Sequence, residues 1–435
     1  MRIRDDLTPH TLEPKLHRLL DLSAAKIHSL EKTWAPEHGS PVYTVGGRYT
    51  TRGWTEWTQG FQFGASILQF DATGEREFLE IGRSRTAAFM APHVSHIGVH
   101  DHGFNNVSTY GNLWRLMNEG RISEDPWERN FYELALKVSG AVQAARWSAI
   151  SDGLGYIYSF NGPHSLFVDT IRSLRVLAIG HQLGHALMGE NDTRISLLHR
   201  LMAHARATAK YCVYYGEGRD AYDVRGRTAH ESIFNPNDGN YRCPNSQQGY
   251  SPRSTWTRGL AWAMLGFAEQ LEFFDTVPDS QPFREILEKA ARATCDSYVA
   301  NTAIDGIPYW DTGAPGLERM PDWREKHSDP FNPHEPVDSS AAAIAAQGLL
   351  RLGRHVREDR YWQAGLTICG TLFDEPYLST DPAHQGLILH SVYHRPNGWD
   401  GGPGESSMWG DYHAREVALY LLRFVHKGNY LKFWR

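Results

Sequence analysis

A chain of 435 residues with 41% hydrophobic and 22% charged content can bury a large core, and no low-complexity tract argues for disorder. Its formal net charge of -6, with Lys and Arg scattered, leaves no basic stripe to neutralise phosphates and sets nucleic acid aside as a partner. Aromatic residues make up 12%, 14 of them Trp, which is high for a helical chain; part is expected in the core and part against the flat faces of sugar rings.

The stretch MRIRDDLTPHTLEPKLHRLL lacks the apolar core of an export signal, and no later window approaches the run of about 18 apolar residues that a spanning helix needs. A cytoplasmic protein with no membrane partner is expected. Cys212, Cys243, Cys295 and Cys369 form no CxxC or Cys/His zinc pattern and read as ordinary thiols in a reducing compartment.

Helical periodicity begins with Leu16, Leu19, Leu20, Ser23, Ile27 and Leu30 on one face. It continues over 129–147, 164–187, 193–212, 258–274, 282–301, 338–355, 360–373 and 411–425, with no competing run of alternating strand residues. The class is all-α.

Within this pattern runs a weak repeat, in which a loop bearing Trp, Asp or His enters a helix rich in small residues. Trp57-Thr58-Gln59-Gly60-Phe61 and Trp256-Thr257-Arg258-Gly259-Leu260 are the plainest copies, and looser ones start at Asp101, Asp169, Asp338 and Trp409. Six such starts predict six hairpins closed in a ring, an (α/α)6 barrel, with small residues packing the inner helices closely. The loops before those helices then gather at one end, where free backbone N–H groups surround a polar, aromatic pocket. No Pro/Gly/Ser linker interrupts the pattern, so residues 1–435 read as a single domain.

Asp101 lies in the dense polar run His100-Asp101-His102-Gly103-Phe104-Asn105-Asn106, which suits either a functional carboxylate or an N-cap beside a Gly turn. Asp169, in SLFVDTIRSL, is read as a carboxylate on an apolar helical face. Burial there raises a carboxyl pKa and suits a general acid or base, unless Arg172 or Arg175 pairs with it. Arg258 could grip a substrate carboxylate or hold a structural ion pair with a neighbouring acid. His230 and Arg258 flank a Gly/Pro/Asn-rich stretch, ending in Gln247-Gln248-Gly249-Tyr250-Ser251, that is read as a long ordered loop. His181 and His185 in HQLGH have zinc-ligand spacing, but Gln182 stands where a metalloprotease has its glutamate, so no metal and no cofactor are expected.

Taken in order, the motifs resemble the unsaturated glucuronyl hydrolases of glycoside hydrolase family 88 and, more distantly, the unsaturated rhamnogalacturonyl hydrolases of family 105. They are WTQGFQFG at 57–64, HDHGF at 100–104, QGYSPRSTWTRGLAWAMLGF at 248–267, DGIPYWD at 305–311, DSSAAAIAA at 338–346 and MWGDYHAREVALYLL at 408–422. The resemblance implies Asp169 as general acid/base and Asp101 as the second carboxylate. It also implies a sugar pocket lined by Trp57, His100, His230, Gln248, Trp256, Arg258 and Trp262. The implied substrate is an oligosaccharide ending in a 4,5-unsaturated uronic acid, released by hydration of the sugar's double bond.

The sequence departs from the family at Gln62, Gln247 and Leu260, and His102, Asn105 and Asn106 make the first loop more polar. These positions are expected near the sugar. They keep a β-glucuronidase for saturated glucuronides and a uronate polysaccharide lyase open as alternative readings, and a silent sugar-binding protein stands as the non-enzyme one. Self-association is left open.

Overall fold

The structure, a computed structural model, describes residues 1–52, 57–399 and 402–434. Twelve principal helices alternate strictly between an inner and an outer layer. The inner ones are Gln59–Thr73, an interrupted helix running from His102 to Asn118, Thr170–Ser173 continued by Arg175–Gln182, Thr257–Phe274, Ser339–Val356 and Met408–Val425. The outer ones are Pro9–Thr33, Arg76–Phe89, Pro126–Ala145, Leu197–Tyr211, Gln281–Asn301 and Asp359–Leu372. Consecutive inner helices touch around the ring, and Met408–Val425 closes it against Gln59–Thr73. This is the six-hairpin barrel, and each of the six starts read in the sequence opens an inner helix.

Layer assignment follows from side-chain pattern. Thr257–Phe274 is buried along its whole length, as a helix surrounded by others must be. Pro9–Thr33 buries only one stripe, Leu12, Leu16, Leu19, Leu20, Ser23, Lys26 and Ile27. Small residues let the inner helices meet backbone to backbone. A Cβ built on Gly103 would lie 1.9 Å from the Ser173 carbonyl oxygen of the next inner helix, and one on Gly60 would lie 2.3 Å from that of Asn105. Gly103→Ala is therefore expected to destabilise the protein by about 3 kcal/mol or more, because backbone cannot yield as a side chain does. The shift of the urea midpoint measures it.

The expected helix over 164–187 is corrected. Ser165–Phe167 is a strand paired with Glu231–Phe234, the helix starts only at Thr170, and Ala186–Met188 pairs with Arg194–Ser196. Further short strands, Pro41–Val45 with Arg48–Thr51 and Trp147–Ala149 with Gly155–Ile157, also went unread. So did the outer helix Arg76–Phe89. The supposed long loop after His230 is in part a hairpin, Glu231–Phe234 with Tyr241–Asn245. His181 lies in the last turn of the helix that ends at Gln182, and His185 lies beyond Gly184, whose φ is 72°, so the two histidines share no helix face. Among the described residues no helix is long and apolar enough to cross a membrane.

Candidate active site

The N-termini of the inner helices, at Thr58, Asp101, Asp169, Trp256, Asp338 and Ser407, surround a cavity of about 370 Å³. That lies within the ordinary size range of small-molecule sites. Its walls are aromatic. Trp57 stacks on Trp409 with centroids 5.0 Å apart and planes 27° apart. Trp262 packs against Phe104 at 4.8 Å and His413 at 4.9 Å.

Asp101 occupies the N-cap position, but its side chain makes no cap hydrogen bond. The backbone carbonyl does that work, accepting from Phe104 N at 2.9 Å and Asn105 N at 3.1 Å, and the carboxylate is left to line the cavity. Asp169 is arranged alike: its carbonyl accepts from Arg172 N at 3.0 Å, and its side chain caps nothing. It sits where the Ser165–Phe167 strand turns into helix and not on a helical face, which corrects the sequence reading. Arg172 and Arg175 are not its partners either. Both lie among Glu269 and Glu416, with Arg172 2.8 Å and 2.9 Å from their oxygens.

His100 joins the two acids. Its Nε2 lies 3.2 Å from Asp169 Oδ1 and 3.6 Å from Asp101 Oδ1. Phe160, stacked at 6.0 Å, and Phe167, edge-on at 5.5 Å, hold the ring. Its carbonyl accepts from Gln143 Nε2 and Ser173 Oγ, both at 2.8 Å, and Ser173 Oγ also accepts from Gly103 N at 2.9 Å. One serine thus fixes the residues on both sides of Asp101. Burial pushes the Asp101 carboxyl above the usual carboxylate range, opposed by His100 and reinforced by the charge on Asp169. Burial alone would lower the His100 pKa, but the Asp101 charge and the hydrogen bond to Asp169 outweigh it and raise it. Asp101 is the more enclosed of the two acids, 6% exposed against 8%.

Trp57, Gln248, Trp256, Arg258 and Trp262 line the cavity with His100 and the aspartates. His230 does not. It stands one layer behind, packed on Phe167 at 4.6 Å and Trp256 at 4.5 Å, and its Nδ1 accepts from the backbone N–H groups of Gln247 and Gln248 at 3.1 Å and 3.3 Å. Burial lowers its pKa to about 4, which keeps Nδ1 an acceptor at neutral pH. Its place is to shape the 247–248 turn.

Arg258 lines the cavity, as the resemblance implies, and is tied into the protein around it. Its guanidinium lies between Trp256 and Trp409 at 4.6 Å and 4.9 Å. Nη1 donates to Asp338 Oδ2 at 2.9 Å and to the Val392 carbonyl, and Nη2 to Gln248 Oε1 at 2.7 Å and the Tyr393 carbonyl at 2.6 Å. With both fork nitrogens engaged and Asp338 neutralising the charge, Arg258 is the structural ion pair of the two readings. It anchors Gln248 and the 392–393 backbone to the wall.

The departures from the family mostly point away from the sugar. His102 Nε2 donates to the His96 carbonyl and its Nδ1 pairs with Ser139 Oγ, each at 2.9 Å, and Asn106 donates to the His93 carbonyl at 3.0 Å. Asn105 accepts from Gly60 N at 2.8 Å, Gln62 accepts from Gln59 Nε2 at 2.6 Å, and Leu260 is core. Gln247 alone of these departures is on the lining. The sequence reading missed Arg52, Phe160, Phe167, Tyr393, His394, Asn397 and Trp399, which also face the cavity.

Stacked aromatic faces around a pair of acids are what a glycoside hydrolase offers a sugar ring, and the chain is a hydrolase of that class built on a six-hairpin barrel. No family model matches it. The chain is 27% identical over 396 residues to an unsaturated glucuronyl hydrolase of Bacillus sp. (strain GL1), covering 87% of this chain and 89% of the relative. It is 23% identical over 425 residues to an unsaturated chondroitin disaccharide hydrolase of Streptococcus pyogenes serotype M1, covering 94% and 91%. The crystal structure of the unsaturated glucuronyl hydrolase from Bacillus sp. GL1 superposes with a TM-score of 0.72 at 24% identity, covering 93% of this chain and 96% of that one. Over most of its length the chain is thus similar to unsaturated glucuronyl hydrolases, in sequence and in fold.

Proposed function

We propose that this protein releases a terminal 4,5-unsaturated glucuronyl residue from oligosaccharides by hydrating the sugar's double bond. The observation that carries the reading is the pair of buried carboxylates beside one imidazole nitrogen on the wall of an aromatic cavity. In this reading Asp169 protonates carbon 4 and then takes a proton from the water that adds at carbon 5, and the resulting hemiketal opens to free both sugars. Asp101 and His100 set the charge around Asp169, His100 through its Nε2 at 3.2 Å from Asp169 Oδ1. Trp57, Trp256 and Trp262 supply faces for the ring, and Gln248, oriented by Arg258 and His230, supplies a polar contact.

Because only Gln247 among the family departures reaches the lining, the pocket gives little ground for moving the substrate to a saturated glucuronide. We take residues 1–435 as one catalytic unit, supported by the packing of Pro9–Thr33 on Met408–Val425. Four unpaired cysteines fit a reducing cytoplasm. The test is to incubate purified protein with unsaturated glucuronyl disaccharides and follow the enol-ether absorbance. A fall is expected. A rise would show a lyase, and steady absorbance with glucuronic acid released from a saturated glucuronide would show a β-glucuronidase.

A further inference from the structure

At the end of the barrel opposite the catalytic cavity, three side chains with metal-binding atoms converge. Glu13 and His17 lie one turn apart on the outer helix Pro9–Thr33, and His426 directly follows the inner helix Met408–Val425, its N–H donating to the Leu422 carbonyl at 2.9 Å. The N-terminus of that inner helix opens on the cavity, so its 18 residues put His426 about 27 Å away. His17 Nε2 is 3.7 Å from Glu13 Oε1 and His426 Nε2 is 3.8 Å from the same oxygen, and one ligand atom from each of the three residues lies within 4.8 Å of the other two. The two imidazole rings stand 6.2 Å apart, centroid to centroid. These contacts are too long for hydrogen bonds. Among the described residues the Glu13 carboxylate makes no hydrogen bond and pairs with no lysine or arginine; its partners are His17, His426 and, on its other oxygen, His10 at 3.9 Å. Sequence alone hid the group, since His426 belongs to a distant segment.

We propose that Glu13, His17 and His426 form a site for a divalent transition-metal ion of the zinc type, tying the first principal helix of the barrel to the last. Two imidazole nitrogens and one carboxylate oxygen are a donor set that suits zinc and its first-row neighbours, whereas calcium and magnesium call for oxygens. Bonds of about 2.0–2.1 Å in a tetrahedron set ligand atoms about 3.4 Å apart. The pairs at 3.7 Å and 3.8 Å reach that spacing by a small turn of the rings. The Glu13, His17 and His426 side chains are 36%, 53% and 55% exposed, which gives the ion a way in and leaves its fourth position to water. Nothing holds His426 beside Glu13 in the unfolded chain, so the ion binds the native protein alone and its binding energy appears as stability.

The test titrates chelator-treated protein, exchanged into chelator-free buffer, with zinc sulfate alone in a calorimeter and follows melting with and without zinc. Saturable binding of about one equivalent in the micromolar range is expected, and zinc at a hundred times its Kd should raise Tm by about 3 °C. His17→Ala and His426→Ala should each weaken binding by roughly tenfold or more and remove that rise. His38→Ala, which removes an exposed histidine elsewhere, should keep both. Each rise is read against the same variant's metal-free melt, so a change in folding alone does not imitate it. Calcium should give no rise in any of them. Binding that needs millimolar zinc would overturn the site, as would a rise that survives either of the first two variants. Cobalt in place of zinc supplies a second readout: visible bands of four-coordinate Co2+ are expected and should disappear in His426→Ala, and a spectrum that this variant leaves unchanged would refute the assignment.

Discussion

Asp169→Asn is expected to lower kcat on an unsaturated glucuronyl disaccharide by about 10³-fold or more while KM moves only a few-fold. Asparagine keeps the volume and a hydrogen bond to His100 but can neither deliver a proton nor receive one. The side chain caps no helix and makes no ion pair with arginine, so folding should be unaffected. Equal melting curves alongside lost absorbance change would show that chemistry, and not structure, was removed. Asp101→Asn tests the division of labour: it leaves the Asp169 carboxyl in place but removes one of the two negative charges that raise the His100 pKa. The pH profile of the residual activity should therefore shift. A variant at position 169 retaining a tenth of the activity would refute its assignment as acid/base.

Arg172→Met should cost about 3–5 kcal/mol of stability, a large share of the roughly 5–15 kcal/mol that holds a domain folded. Arg172 is fully buried under the cavity floor, with Glu269 and Glu416 on either side at 2.8 Å and 2.9 Å. Removing it leaves two enclosed carboxylates whose remaining cations are more distant, Arg175 at 3.7 Å from each and Arg351 at 3.9 Å from Glu269. The loss should depend on pH. Burial already raises Glu269 to about 7, against the pull of Arg172, and without that pull it must rise further. A carboxyl with a raised folded-state pKa stabilises the native state below its unfolded pKa, and that contribution is lost as pH rises through the folded value. The gap between variant and unaltered protein should therefore be wider at pH 8 than at pH 6 in urea titrations. A gap that narrowed would mean that Glu269 stays ionised without Arg172.

The ring of helices was legible because its signal is repeated: a loop with Trp or Asp before a helix of small residues, six times over. Single elements were harder. Arg76–Phe89 buries only Phe78, Leu79, Gly82 and Thr86, too thin a stripe to announce a helix. The three-residue strand Ser165–Phe167 has no alternation to read, and its partner lies more than sixty residues away. The aspartates were found, but the direction of their neighbours was not. A helix turns about 100° per residue, so His102, Asn105 and Asn106, adjacent to Asp101 in sequence, look into the packing behind it. Arg258 carried a charge that sequence could not assign, because Asp338 is distant in the chain. The 388–399 loop bore a usable sign, aromatic and polar residues entering a helix start, and its Tyr393 and Trp399 belonged with the other starts.

The close approach at Gly60 and Gly103 governs more than packing. A closed hoop has one circumference, and where two staves meet through main-chain atoms that spacing is set by hard van der Waals contact, with no rotamers to adjust. The bore of the barrel is then resistant to widening at these contacts. Diversity among proteins of this design must be written on the rim, in segments such as those bearing Arg52 and Trp399, where a change alters what is admitted without altering the hoop.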